Sequence, residues 1–215
     1  MSSVRRLILL RHGQTQYNAT NRMQGHLDTE LTDLGREQAI HAADALADRD
    51  PLRIVSSDLT RALDTATALG EAVSVPVTTD VRLRETHLGD WQGLTHHEVD
   101  DIAPGAREAW RGDAAAAPPG GESRVDVAAR AMPLVTELLD AGDWGDKPVV
   151  LVAHGGTIAA LTAALLDLPV DRWPVLGGLG NASWVQVSLH GEGTPESQWR
   201  LDVWNASAQV AGDVL

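Results

Sequence analysis

The stretch LILLRHGQTQYN (Leu7–Asn18) decides the fold, because four aliphatic residues lead directly into an arginine, a histidine and a glycine. An apolar run of this kind is typical of a strand that is buried on both faces of a parallel sheet. Arg11 and His12 therefore stand at the carboxyl end of a buried strand. Ligands of open α/β sheets bind beyond such strand ends. The stretch predicts a rigidly held cation and imidazole at a binding edge.

The rest of the chain alternates between apolar runs and segments of helical periodicity. The predicted strands are Arg5–Leu10, Leu52–Ser56, Val77–Leu83, Val149–Ala153, Ser183–Leu189 and Gln198–Trp204. The predicted helices are Thr32–Asp48, Asp58–Val73, Ser123–Leu139 and Thr157–Leu166. Ser57 is expected to cap the second helix, and Pro133 to kink the third or delay its start. This alternation predicts an α/β fold of three layers, with a mostly parallel central sheet and helices on both faces.

Length favours one domain over residues 1–215, with an insertion at about residues 86–121. The insertion breaks the alternation and ends in the loop-like stretch Ala114–Gly121, which is rich in Ala, Pro and Gly. We expect one short helix near Thr95–Asp101. We also expect the insertion to cover the binding edge.

Composition excludes several classes of protein. The net charge of −13 repels nucleic acid and anionic membranes, so neither is an expected partner. The absence of cysteine excludes disulfides, thiolate zinc sites and a cysteine nucleophile. No run of about 18 apolar residues could span a membrane. The N-terminus is interpreted as the first strand and not as a signal peptide, so the expected location is cytoplasmic.

Four side chains are expected to meet at the binding edge. His12 in RHG and His154 in AHGG each follow an apolar strand and precede a glycine, which lets a ligand approach the backbone. Arg11 precedes His12. Arg61 lies in the first turn of a predicted helix, where the dipole and free N–H groups favour an anion. Two arginines and two histidines around one point make a pocket for a dianion such as phosphate.

A histidine in a phosphate pocket points to nucleophilic catalysis. Neutral imidazole can attack phosphorus and form a phosphohistidine, while arginines stabilise the charge on the phosphoryl oxygens. Glu85 in RLRETHLGDW is the candidate acid that protonates the leaving alkoxide and then activates water. Taken singly, each residue has a simpler explanation as a solvated or capping side chain. Their joint occurrence favours a site.

Four motifs in order carry a family resemblance: LLRHGQT, SSDLTRALDTA, RLRETHLGDWQG and LVAHGG. Together they resemble the histidine phosphatase superfamily, also called phosphoglycerate mutase-like. The resemblance implies that His12 is phosphorylated, that Glu85 donates the proton, and that neither a metal nor a cofactor takes part. The residues that it places around the phosphate are Arg11, Asn18, Gln24, Arg61, Glu85 and His154. It places Glu122 and Ser123 near the mouth of the site.

Departures from the family's mutases favour a phosphatase. Thr86 and Leu88 stand where the cofactor-dependent mutases carry Arg and Tyr. The insertion also lacks lysine, and its arginines, Arg107 and Arg111, are isolated in the sequence. Further stretches, such as RMQGHLDTELTDLGR and LGGLGNASW, extend the resemblance over nearly the whole chain. They resemble family members that act on a small phosphorylated sugar acid. The implied reaction is hydrolysis of glucosyl-3-phosphoglycerate to glucosylglycerate, in methylglucose lipopolysaccharide synthesis, by a homodimer.

Other interpretations stay open at this point. The same chemistry could serve phosphoglycerate, alpha-ribazole phosphate, phosphoesters in general, or a mutase-type reaction. A non-catalytic phosphoester-binding module should lack the nucleophile or the acid, and both His12 and Glu85 are present. A metal site at His87, His96, His97 and Glu98 is disfavoured, because adjacent histidines point to different faces of a helix.

Overall fold

The computed structural model describes residues 4–191 and 198–208 and has a central six-stranded sheet. The strands are β1 (Val4–Arg11), β2 (Arg53–Ser56), β3 (Val77–Thr79), β4 (Val149–Ala153), β5 (Trp184–His190) and β6 (Trp199–Ala206). Their order across the sheet is β3-β2-β4-β1-β5-β6. The first four run parallel, while β5 is antiparallel to both β1 and β6. The prediction of a mostly parallel sheet is confirmed, and β1 and β4 occupy its centre.

Helices cover both faces of the sheet. They are α1 (Gln16–Ala19), α2 (Asp33–Ala47), α3 (Thr60–Val73), α4 (His96–Ile102), α5 (Ala106–Gly112), α6 (Arg124–Asp140) and α7 (Gly155–Leu165). Alternate residues of β1 serve the two faces: Leu7 and Leu9 pack in the cluster with α6 and α7, and Ile8 and Leu10 in the cluster with α2 and α3. Each such buried side chain contributes about 1.5–3 kcal/mol. The end of β1 is therefore fixed from both sides.

Three local predictions are corrected by the structure. Strand β3 ends at Thr79, because the Asp80 side chain accepts from the Arg82 N–H at 2.8 Å and starts a 3₁₀ turn. Helix α3 begins at Thr60 and is not capped by Ser57; its Thr60 N–H donates instead to Asp28 at 2.8 Å. Helix α6 is continuous from Arg124, so a delayed start at Pro133 is wrong.

Residues 86–121 leave the sheet layers and return to nearly the same point. The Glu122 N–H donates to the His87 carbonyl at 2.8 Å, and the Asp90 N–H to the Pro119 carbonyl at 3.0 Å. The expected short helix is α4, capped by Thr95, while α5 was not predicted. The segment has a small apolar cluster of its own, formed by Leu88, Trp91 and Val99 with Met23 from outside the segment.

No helix within the described ranges is long and apolar enough to cross a membrane.

Candidate active site

A cavity of about 600 Å³ lies beyond the carboxyl ends of β1 and β4 and brings the predicted residues together. Five of them line it: Arg11, Asn18, Gln24, Arg61 and Glu85. The other two, His12 and His154, are buried next in sequence to the lining residues Arg11 and Gly155. Their ring centroids are 5.1 Å apart. The convergence expected from the order of the strands is therefore present.

His12 is held in one tautomer. Its Nδ1 lies 2.6 Å from the Gly13 carbonyl oxygen, which can only accept, so Nδ1 carries the proton and Nε2 keeps its lone pair. Burial lowers the pKa of His12 well below its usual value, and the charges of Arg61 and Arg11 lower it further. At neutral pH the imidazole is therefore neutral and able to act as a nucleophile through Nε2.

His154 is held by Ser57, the residue that was expected to cap α3. The Ser57 hydroxyl accepts from the Leu59 N–H at 3.3 Å and lies 2.9 Å from His154 Nε2. Burial, followed by the charge of Arg61, lowers the pKa of His154 well below its usual value, so the ring is neutral. The hydrogen of this hydroxyl has no other acceptor among the described residues, so we assign it to Nε2 and the ring proton to Nδ1. That buried nitrogen has no partner among the described residues, which leaves a donor for a bound anion.

Two arginines supply positive charge without a carboxylate paired to either within the described ranges. Arg61 is fully buried, and its Nη1 and Nη2 donate to the carbonyls of Leu27 and Gly25 at 2.8 and 2.9 Å. Burial lowers the pKa of Arg61 to about 10, so it stays cationic at neutral pH. Arg11 donates to the Leu179 carbonyl. The Nε atoms of both are buried without partners in the described part, and a bound anion would offset this cost.

The Glu85 carboxylate sits at the N-terminus of α7. It accepts from the backbone N–H groups of Thr86, Gly156 and Thr157 at 2.8, 3.2 and 3.1 Å. The first turn of a helix favours a carboxylate there. Three backbone donors fix the carboxyl group beside the cavity, where it can exchange a proton with a ligand.

Gly156→Ala should reduce kcat/KM for hydrolysis of a phosphate ester by about 10- to 100-fold, since small displacements of a positioned group have effects of that size. A Cβ at Gly156 would lie 2.6 Å from Glu85 Oε1 and from Thr86 Oγ1, so the carboxylate must shift. At Gly155 a Cβ would meet Arg11 Nε at 3.6 Å, an ordinary contact. Steady-state rates for Gly156→Ala and Gly155→Ala test this. Equal losses in the two variants would contradict the assigned position of Glu85.

Two amide side chains present donors to the cavity. The Asn18 Oδ1 accepts from the Thr15 N–H and from Asn181 Nδ2, both at 3.1 Å. The Gln24 Oε1 accepts from the Thr29 hydroxyl at 2.6 Å. Because the amide oxygens are occupied, the amide nitrogens of Asn18 and Gln24 are the groups left to donate to an anion.

Glu122 and Ser123 have structural contacts. Glu122 forms an ion pair with Arg130 at 2.9 Å and accepts from the His87 N–H at 2.8 Å. Ser123 caps α6 by accepting from the Asp126 N–H. Arg130, which the sequence did not single out, also donates to the Glu85 carbonyl at 2.9 Å. Arg130 therefore ties both Glu122 and the backbone of Glu85 to α6.

The sequence also missed a second basic group on the cavity wall. Arg111 is isolated in the sequence, yet it lines the cavity together with Arg22, His96 and Arg124. Arg107, in contrast, pairs with Asp100 at 2.7 Å. These positions depend on how α4, α5 and the start of α6 pack, which local sequence patterns do not specify.

The two adjacent histidines of α4, His96 and His97, do not share a binding point. His96 lines the cavity, whereas His97 points to Asp101 at 3.6 Å, so the adjacent rings diverge as expected. Within residues 4–191 and 198–208, no group of three or more His, Asp or Glu side chains is arranged to hold a metal ion.

Comparison with known proteins finds relatives over nearly the whole chain. The model of the histidine phosphatase superfamily (branch 1) matches residues 7–206. A glucosyl-3-phosphoglycerate phosphatase of Mycolicibacterium vanbaalenii is 70% identical over 99% of both chains. One of Mycobacterium tuberculosis is 65% identical over 98% of this chain and 99% of its own. A solved mycobacterial glucosyl-3-phosphoglycerate phosphatase in complex with inorganic phosphate has a TM-score of 0.90 and 64% identity, covering 96% of this chain and all of that one.

Proposed function

The chain belongs to the histidine phosphatase superfamily (branch 1), and we propose that it hydrolyses glucosyl-3-phosphoglycerate to glucosylglycerate and phosphate. Relatives that are 65–70% identical to it are named as phosphatases, which makes it a phosphoric monoester hydrolase, and a phosphohistidine intermediate is general for the family. The substrate is inferred from one observation, the 70% identity to a glucosyl-3-phosphoglycerate phosphatase over nearly the full length of both chains. The matched region covers 99% of both chains and therefore includes the residues around the cavity.

The first step follows from the tautomer of His12. Its Nε2 lone pair attacks phosphorus and forms the P–N bond, while the bond from phosphorus to the glycerate oxygen breaks. Glu85, in its protonated form, gives its proton to that departing oxygen, so the product leaves as an alcohol. Arg11, Arg61 and the Nδ1–H of His154 stabilise the charge on the phosphoryl oxygens. Asn18 and Gln24 donate to the same group.

The second step returns the enzyme to its starting state. Glu85, now a carboxylate, takes a proton from water, whose oxygen attacks phosphorus and breaks the P–N bond. The electron pair returns to His12 Nε2, and phosphate leaves. No metal or cofactor enters either step.

The proposal also includes the organisation of the enzyme. Residues 86–121 act as an insertion that covers the site within a single domain over 1–215. The enzyme acts as a cytoplasmic homodimer in methylglucose lipopolysaccharide synthesis.

Hydrolysis is favoured over a mutase reaction by the cavity wall. Thr86 and Leu88 both line the cavity at the positions where the mutases carry Arg and Tyr. Neither side chain supplies the positive charge or the phenol hydroxyl that the mutases have at these positions. These two positions favour water over a second phosphorylated substrate as the acceptor of the phosphoryl group.

Phosphate release from glucosyl-3-phosphoglycerate and 3-phosphoglycerate, measured side by side in EDTA, tests the proposal. We expect kcat/KM to be at least about 100-fold higher for the glucosylated ester, which is the size of preference that a complementary site gives. Equal or reversed rates would leave the phosphatase chemistry but overturn the substrate. Loss of activity in EDTA, restored by added metal, would contradict metal-independent catalysis.

A further inference from the structure

The cavity has a second basic region, apart from the groups around His12. Arg22, His96, Trp110, Arg111 and Arg124 line the same cavity as Arg11 and Arg61. They come from the loop after α1, from α4, from α5 and from the start of α6. A chain with a net charge of −13 thus places additional positive charge on the wall of its main cavity.

Arg111 and Arg124 lie next to each other without a carboxylate partner in the described ranges. The Arg124 guanidinium donates to the Arg111 carbonyl at 3.2 Å and stacks over the Trp110 ring, 5.7 Å from its centroid. Burial lowers the pKa of Arg124, and the nearby charge of Arg111 lowers it further. Two neighbouring guanidiniums repel each other, and an anion placed between them would remove this repulsion.

Two other arginines of the same region, Arg107 and Arg22, lie beside acidic side chains, unlike Arg111 and Arg124. Arg107, one turn before Arg111 on α5, forms a two-bond ion pair with Asp100. Arg22 lies 3.5 Å from Glu98. In addition, the Trp110 Nε1 is buried and has no hydrogen-bond partner among the described residues. Two cations without acid partners in the described ranges, Arg111 and Arg124, therefore line the same part of the cavity as Trp110.

We propose that Arg111 and Arg124 form a carboxylate subsite, which binds the glycerate carboxylate while the phosphate lies between Arg11, Arg61 and His154. This inference rests on the proposed function, whose substrate carries both a phosphate and a carboxylate. A guanidinium matches the planar geometry of a carboxylate and forms two parallel hydrogen bonds with it. The subsite selects phosphorylated sugar acids over neutral phosphate esters.

The test compares glucosyl-3-phosphoglycerate with its carboxamide, in which a neutral amide of nearly the same shape replaces the carboxylate. The wild-type enzyme is expected to prefer the acid by about 10- to 100-fold in kcat/KM, the usual range for hydrogen bonds to a charged group. In Arg111→Gln and Arg124→Gln this preference should fall to within about threefold of unity, mainly through KM. Because both substrates use the same phosphate pocket, a general loss of activity cancels in the ratio.

Arg107→Gln is the matched control, because it removes the same charge from the same helix at a residue already paired with Asp100. It should keep the wild-type preference for the acid. If the wild type hydrolyses acid and amide equally, or if Arg111→Gln keeps the full preference, the subsite is overturned. If the wild type fails to hydrolyse glucosyl-3-phosphoglycerate at all, the proposed function fails instead. Arg111→Gln is the primary variant. The Arg111 side chain is exposed, and within the described residues it makes no hydrogen bond or ion pair that the substitution would break.

Discussion

His12→Ala should lower kcat/KM by at least about 10⁴-fold for every phosphate ester, because removal of a nucleophile abolishes the covalent route altogether. No described group can replace it. His154 Nε2 is engaged with the Ser57 hydroxyl at 2.9 Å. Its Nδ1 carries the proton, so it has no lone pair to attack phosphorus. The loss should appear in kcat, whatever the leaving group.

The measurement has two parts. Phosphate release is followed with a sugar-acid ester and with p-nitrophenyl phosphate, and denatured enzyme is assayed for acid-labile, base-stable phosphate on histidine. His12→Gln, which fills more of the buried space, guards against misfolding, with thermal unfolding measured for both variants. His41→Ala, at an exposed position outside the site, is the control and should keep full activity. A folded His12 variant with more than about one per cent of wild-type turnover would overturn the assigned nucleophile.

Glu85→Gln should reduce hydrolysis of the sugar-acid ester by about 10²- to 10⁴-fold, the range expected for loss of a general acid. Gln has nearly the same shape but cannot give a proton to the departing alkoxide. The loss should be much smaller in the first step with p-nitrophenyl phosphate, because nitrophenolate leaves without a proton. The two effects together separate proton donation from simple positioning.

Rapid mixing of Glu85→Gln with p-nitrophenyl phosphate provides the measurement. A burst of nitrophenolate close to one equivalent is expected, since the phosphohistidine forms but the second step lacks its base. Glu85→Asp, which keeps the acid on a shorter chain, should recover part of the activity on the sugar-acid ester. Equal losses for both substrates, with no burst, would show that Glu85 acts only by holding the cavity in shape.

Sequence patterns predicted the sheet and the central groups of the site for one physical reason. The apolar runs before Arg11 and His154 specify buried strands, and parallel strands end at one edge. Once β1 and β4 are neighbours, Arg11, His12 and His154 have to meet. Arg61 was predicted from its place in the first turn of a helix, where an anion is favoured, and Glu85 from the need for an acid that protonates the leaving group.

The remainder of the site depends on contacts between distant segments. Ser57 looks like a helix cap in sequence, but its hydroxyl meets His154, 97 positions away. Arg130 reaches the Glu85 carbonyl across 45 positions from the middle of a helix, where an arginine normally looks like a solvated surface residue. Arg111 and Arg124 meet only after α5 has folded onto the start of α6. Local periodicity carries no information about such pairings.

The two ends of residues 86–121 lie side by side, and this arrangement has an evolutionary consequence. The chain leaves at His87 and comes back at Glu122, joined by backbone hydrogen bonds and held by Arg130. Changing the length of a loop between fixed ends costs little free energy, because closure entropy grows slowly with length. Natural selection can therefore replace this segment while its two ends stay in place. Such a replacement alters which esters are accepted and leaves the residues of phosphoryl transfer unchanged.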